Sequence, residues 1–231
     1  LALDAAELET LRKVLSPDEQ ARAERFCFEK DRQRFIASRG ILREILSRYL
    51  KREPARLEFS YSRFGKPSLA PDDSGSGVHF NLSHSHGLAL YAISRFPEIG
   101  VDVERLRRDF PCEQIAEHFF SPHEVKTLRS LPEAGKYEAF FNCWTRKEAF
   151  VKARGEGLSL PLDQFTVSLA PAEPVALLRT EGDSGEASQW ALRGINPVDG
   201  YIAALAAKGN EWHPKFWLWP SKNPTDEPHC S

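Results

Sequence analysis

Apolar and polar positions alternate along this chain in an order of elements that occurs twice. Ser16-Pro17-Asp18-Glu19 combines an N-cap serine, a first-turn proline and a glutamate three residues on, which predicts a helix running to about Phe28. From Asp31 to Leu50, Phe35, Leu42, Ile45, Leu46 and Tyr49 recur at the spacing of one helical face. Leu57 to Ser62 alternates as a strand does. Phe64-Gly65-Lys66-Pro67 reads as a turn, and Pro71 to Gly77 as a polar loop. Strands follow near Val78–Ser83 and Leu88–Ser94, and a third begins at Ile99.

The second half repeats the order. Ser121-Pro122-His123-Glu124 has the design of the first helix start, and Phe140 to Arg154 is a strongly amphipathic helix. Strands are expected at Phe165–Leu169, Gln189–Gly194 and Tyr201–Ala206. The expectation is an α+β fold of two pseudo-symmetric lobes, residues 1–98 and 99–231, with the active site in the cleft between them. The join falls near Phe96-Pro97-Glu98, and the tail carrying Trp212, Trp217 and Trp219 is expected to pack back on the body.

Composition narrows the class. Of 231 residues, 41% are hydrophobic and 28% charged, the profile of a soluble globular protein, and no apolar run approaches the length of a membrane span. No signal peptide is visible, and the absence of Met at position 1 suggests a missing or processed start. Cys27, Cys112, Cys143 and Cys230 show no paired spacing, which argues for reduced thiols in the cytoplasm over a zinc site or a disulfide framework. The net charge of −2 does not suggest nucleic-acid binding. Residues 10–56, however, hold thirteen Lys/Arg against seven Asp/Glu: either a surface for an anionic partner or a solvated helix face.

Three places carry candidate chemistry. Phe141, Trp144, Glu148, Val151 and Lys152 share a helical face, so Glu148 and Lys152 are either a surface pair or charges set into an aromatic face. Asp102 and Glu104, two apart in IGVDVE, point together on a strand. They repel unless a cation lies between them, one keeps its proton or both are solvated, and with Glu148 they would form an oxygen donor set suited to Mg²⁺. His84 and His86 lack a third His or Cys partner, so one of them is better placed to bind phosphate, as is Lys66. No Walker A pattern or serine nucleophile elbow occurs.

Taken in order, GKPSL at 65–69, FNLSHS at 80–85, IGVDVE at 99–104, HFFSPHE at 118–124 and WTRKEAFVKARGEGLSLPL at 144–162 resemble the 4'-phosphopantetheinyl transferase superfamily, of the longer two-lobed Sfp type. With RFCFEKDRQRFIASRG at 25–40, the resemblance covers roughly residues 14–170. It implies a monomer with coenzyme A in the cleft. Asp102, Glu104 and Glu148 would hold Mg²⁺ against the pyrophosphate, and Lys152 would contact the phosphates. Lys66, Ser83 and His84 would bind the nucleotide end, while Arg39 and Arg34 would reach the 3'-phosphate. Glu124 matches an acidic position near the family's site and is equally the capping-box partner of Ser121. The chain departs from the best-known members at Phe35, where some have Thr, and at Glu19, a basic position in the first helix.

The implied reaction transfers phosphopantetheine from coenzyme A to a serine of an acyl or peptidyl carrier protein, releasing 3',5'-ADP. Glu148 would take the serine proton directly or through water. Two alternatives stand beside it: another Mg²⁺-dependent nucleotide or diester hydrolase, and an inactive module that binds coenzyme A or carrier protein.

Overall fold

Helix starts follow the capping chemistry. The computed structural model describes residues 1, 3–71, 75–171, 173–181 and 185–219. Helix α1 (Ala5–Lys13) begins at a reciprocal Asp4–Glu7 capping box. Helix α2 (Pro17–Glu24) begins at Ser16, whose N–H donates to Glu19. Helix α3 (Glu29–Leu50) ends at Lys51 in the left-handed conformation. Strands β1 (Phe59–Tyr61) and β2 (Pro67–Leu69) pair across a turn in which Gly65 has φ +80°. Strands β3 (His79–Ser85) and β4 (Leu88–Ser94) form an antiparallel hairpin. Its two-residue loop, His86 (φ 46°) and Gly87 (φ 98°), has the positive angles of a primed turn.

The second half starts with β5 (Ile99–Arg105) and helices α4 (Cys112–Phe119), α5 (Pro122–Ser130) and α6 (Glu133–Arg154). Strands β6 (Phe165–Val167), β7 (Leu177–Thr180), β8 (Trp190–Ile195) and β9 (Tyr201–Lys208) complete it. The sheets are β1-β2, β3-β4, β5-β9-β8 and β6-β7, all antiparallel. The fold is α+β, and each half contains one 22-residue helix, α3 or α6. Helix α6 lies on β5 and β9 and forms the centre of the larger core with Phe140, Phe150, Phe165 and Trp190. Leu42, Leu46, Leu57 and Phe80 fill the core between α3 and the hairpin.

The halves meet along a seam with no backbone ladder. Side chains of β3 instead accept the backbone N–H groups of β5: Asn81 Oδ1 from Val101 at 2.8 Å, Ser83 Oγ from Val103 at 3.3 Å and Ser85 Oγ from Arg105 at 3.2 Å. The constant offset of 20 residues means that the two strands run in the same direction. Buried Ala92, Val101 and Leu205 close the seam behind them.

Several expected elements differ in extent. Helix α6 starts at Glu133 rather than Phe140, and β6 ends at Val167 rather than Leu169. Helices α1 and α4 and the short strands β2 and β7 were not expected. The expected loop at 71–77 lies partly outside the described residues, at 72–74, and Cys230 lies wholly outside them. Of the tail, residues 220–231 lie outside the described residues, and Trp219 lies beneath the Arg48 guanidinium at 4.5 Å. Cys27, Cys112 and Cys143 are free thiols. Among the described residues, no helix is long and apolar enough to cross a membrane.

Gly100 is the tightest point between β5 and α6. A Cβ there would lie 2.1 Å from the Ala149 carbonyl oxygen and 2.4 Å from the Ala153 nitrogen, and helix backbone cannot move aside as a side-chain tip can. Gly100→Ala should therefore cost about 3 kcal/mol or more in urea unfolding. A loss below about 1 kcal/mol would contradict this packing.

Candidate functional site

The seam that joins the halves also aims the acidic side chains. Asp102 and Glu104 project from β5 toward the serines of β3. Ser83 Oγ donates to Asp102 Oδ1 at 2.9 Å while accepting from the Val103 N–H. Ser85 Oγ donates to Glu104 Oε2 at 2.9 Å while accepting from the Arg105 N–H. From α6, Lys152 Nζ reaches Asp102 Oδ1 at 2.7 Å, Ser83 Oγ at 3.1 Å and the Val101 carbonyl at 3.3 Å. The aromatic end of that helix face is accounted for separately: Trp144 stacks on Phe140 and meets Phe119 edge to face.

Burial pushes the Glu148 carboxyl up from the usual range, and the neighbouring charges of Asp102 and Glu104 add to the rise against Lys152. Burial likewise raises Glu104, opposed by the Ser85 hydrogen bond and reinforced by Asp102. The three carboxyls therefore feel one another, as like charges in a confined site must. Their all-oxygen chemistry suits a hard divalent cation. Asp102 Oδ2 is buried with no hydrogen-bond partner, an acceptor left open. Among the described residues, however, no three His, Cys, Asp or Glu side chains stand as a finished metal cage, and Lys152 occupies the other Asp102 oxygen. The fit is one of donor chemistry, with the ammonium as the present counterion.

A pocket of about 390 Å³ opens on the first half, lined by Arg22, Arg34, Arg39, His84, Phe35 and Tyr61 among others. It brings together the sequence candidates Arg34, Arg39 and His84. Arg34 lies 3.8 Å from Asp31, and Arg39 donates to the Tyr61 hydroxyl. Partial desolvation pushes the His84 imidazole below its usual range, and the charges of Lys152 and Arg34 push the same way against a backbone hydrogen bond. His84 thus lines the pocket while feeling the charge of Lys152.

Lys66 is not among the pocket-lining residues. Its ammonium donates to the carbonyls of Lys152 (2.5 Å), Ala153 (3.3 Å) and Ile99 (3.3 Å), capping the C-terminal end of α6. Glu124 falls on the capping side of its two readings. It is fully buried, accepts from the Ser121 and Val167 N–H groups at 2.7 Å each, and pairs with Lys147 at 2.8 Å. Sequence reasoning missed Ser85, although it alternates with Ser83 as Glu104 does with Asp102. It also missed Arg22 and Tyr61 in the pocket wall.

The model of the 4'-phosphopantetheinyl transferase superfamily matches residues 98–206, and that of the 4'-phosphopantetheinyl transferase N-terminal region matches residues 4–95. The chain is 45% identical to the 4'-phosphopantetheinyl transferase HetI of Nostoc sp., over 92% of this chain and 86% of HetI. It is 33% identical to the 4'-phosphopantetheinyl transferase Sfp of Bacillus subtilis, over 72% of each chain. Thermotoga maritima holo-[acyl-carrier-protein] synthase superposes on 49% of this chain and 63% of its own, with a TM-score of 0.39 and 23% identity, too slight a likeness to build on.

The raised Glu148 carboxyl has a consequence for stability. Its folded form holds a proton more tightly than the unfolded chain does, so its contribution is complete below the ordinary value of 4.5 and lost as pH rises through the folded value. Glu148→Gln removes that loss. In metal-free buffer it should melt higher than the parent at pH 7, with the gain shrinking toward pH 4. A lower melting temperature at pH 7 would contradict the assignment.

Proposed function

The chain belongs to the 4'-phosphopantetheinyl transferase superfamily, and we propose that it moves the phosphopantetheine arm of coenzyme A to a serine hydroxyl of an apo carrier protein. Supporting this reading above all is one juxtaposition: an acidic cluster with its own ammonium, Asp102–Lys152 at 2.7 Å, beside an arginine-lined pocket. A purely basic groove would bind a polyanion, and a purely acidic one would repel it. The combination suits an anion whose reacting phosphate is bridged to carboxylates by a cation.

In the proposed reaction the serine oxygen forms a bond to the β-phosphorus of coenzyme A, the bond to the bridging oxygen breaks, and 3',5'-ADP leaves with that oxygen. Such transfers depend on alignment and charge neutralisation. Glu148 is proposed to accept the serine proton, directly or through water; a carboxyl raised above the usual range is the better base for this task. Lys152 carries its charge to the phosphates, with its side chain 28% exposed at the mouth of the site. Asp102, Glu104 and Glu148 are the residues proposed to hold Mg²⁺, which when bound would neutralise pyrophosphate charge and act as a Lewis acid. Arg34, Arg39, Ser83 and His84 are proposed to hold the nucleotide end.

Lys66 is proposed to support this site from behind, through the α6 carbonyls. A cytoplasmic monomer with units 1–98 and 99–231 is the form in which we propose the enzyme works. Support for the monomer is that one chain supplies both sides of the site, the serines of β3 and the acids of β5 and α6. The carrier partner is an acyl or peptidyl carrier domain.

The test is the intact mass of apo carrier proteins incubated with coenzyme A and Mg²⁺. The parent should add one phosphopantetheine. Asp102→Ala and Glu148→Ala should each lower the rate by at least about a hundredfold while keeping the far-ultraviolet spectrum of the fold. Full activity in both variants would refute the site. Release of phosphopantetheine from coenzyme A without any carrier would point to a hydrolase.

A further inference from the structure

The seam between β3 and β5 has no backbone ladder, yet it aims the acids, so whatever keeps the two halves together governs where those acids stand. The chain crosses from the first half to the second at Phe96-Pro97-Glu98. It also crosses back. Past β9 it runs from Gly209 to Trp219 without helix or strand, and this segment is fixed at both ends.

Its first end belongs to the second half. The Gly209 N–H donates to the Gln189 carbonyl at 2.7 Å, and Asn210 Nδ2 donates to the Ser188 carbonyl at 3.0 Å. Trp212 Nε1 donates to the Gly209 carbonyl at 2.9 Å, and the Arg193 guanidinium lies over the indole at 5.7 Å. The ring packs on the cluster of Ala92, Ile99, Val101 and Leu205. Ala92 comes from β4 of the first half and the others from β5 and β9 of the second. Val101 and Asp102 are consecutive on β5 and leave opposite faces of it. Trp212 therefore covers the seam on the face turned away from the acids.

The other end belongs to the first half. Trp219 packs on the cluster of Leu11, Leu15, Ala23, Ile36 and Ile41, with Arg48 of α3 over its ring. Between the two anchors, Phe216, Trp217 and Leu218 are 65%, 51% and 86% exposed, so this stretch is held by its tryptophans and not along its length. An indole under a guanidinium combines a large apolar contact with a cation–π attraction. Because both anchors lie on one chain, seating the second is an intramolecular event that favours the closed seam.

We propose that residues 209–219 are a strap: with Trp219 seated on the first half, the tail of the second half keeps the β3–β5 seam shut. It sets how often Ser83 and Ser85 part from Asp102 and Glu104, and hence how often the acidic cluster comes apart while each half stays folded. The strap's free energy is present only in the closed form, so releasing Trp219 shifts the balance toward opening. Closure of the seam is a property of the fold and does not depend on the reaction catalysed.

Amide hydrogen exchange on the full chain tests this with controls inside the same strand. The N–H groups of Val101, Val103 and Arg105 bond to β3 side chains and report the seam. Those of Asp102 and Glu104 face β9, as does the Leu106 N–H, which donates to the Gly200 carbonyl at 2.8 Å. Trp219→Ala should speed exchange at the three seam amides by about tenfold or more. It should leave the β5–β9 ladder, and the β3–β4 ladder of the first half, near the parent rates. Trp219→Phe should keep most of the protection, and Trp217→Ala, at an exposed position, should match the parent. If Trp219→Ala does not fold, a protease recognition sequence inserted between the exposed Trp217 and Leu218, and cut in the folded protein, severs the strap with both anchors intact. Cutting should speed the same three amides. Unchanged seam exchange in Trp219→Ala or after the cut would overturn the proposal. So would equal acceleration in either ladder, which would mean that a half unfolds and the seam does not open by itself.

Discussion

The hydrogen-bonded seam between β3 and β5 is the constraint from which the rest of this molecule follows. A backbone ladder would have spent the β5 N–H groups on carbonyls. Here they are spent on Asn81, Ser83 and Ser85, and a serine that accepts one bond still has a proton to donate. Ser83 and Ser85 donate theirs to Asp102 and Glu104. Docking of the two halves and orientation of the acids are therefore the same set of interactions. Removing the Ser83 hydroxyl would leave the buried Val103 N–H and the buried Asp102 carboxylate short of a partner together, and removing that of Ser85 would do the same to the half-buried Glu104.

The same seam explains why the site is electrostatically uncomfortable. Three carboxyls are drawn toward one another where water is scarce, and two of them, Glu104 and Glu148, are pushed toward their protonated forms. Lys152 relieves part of the repulsion and leaves Asp102 Oδ2 open. Stability is given up at this carboxylate cluster, and it is recovered by packing elsewhere, notably the aromatic core around α6 and the close approach of β5 to α6 at Gly100. The first half repeats the theme with opposite sign, placing the guanidiniums of Arg39 and Arg43 around Glu19.

What could be read from the sequence was whatever local spacing encodes. The Ser16 and Ser121 helix starts, the long helices, the hairpin strands and the pairing of Asp102 with Glu104 follow from periodicity and capping. The repeated order anticipated two long helices, each packed on antiparallel strands. Interactions across long sequence separations were not legible. Glu124 looked equally like a site acid and a cap, and only its burial against Lys147 and the Val167 N–H decides between them. For Lys66, read as a phosphate ligand, nothing local shows that three carbonyls from β5 and α6 converge on it. The partners of Glu19 lie 20 and 24 residues away on another helix. Strands β2 and β7, of three and four residues, are too short to display a period.

The most direct test of the seam's role is to count and weigh a divalent ion at the acids it positions. Mn²⁺ binding, followed by electron paramagnetic resonance with coenzyme A present, should show one ion per chain. In a Ser83→Ala, Ser85→Ala double variant that retains its fold, affinity for that ion should fall by about tenfold to a hundredfold. An unchanged affinity in the double variant would mean that the hydroxyls only join the halves, and the account would fail.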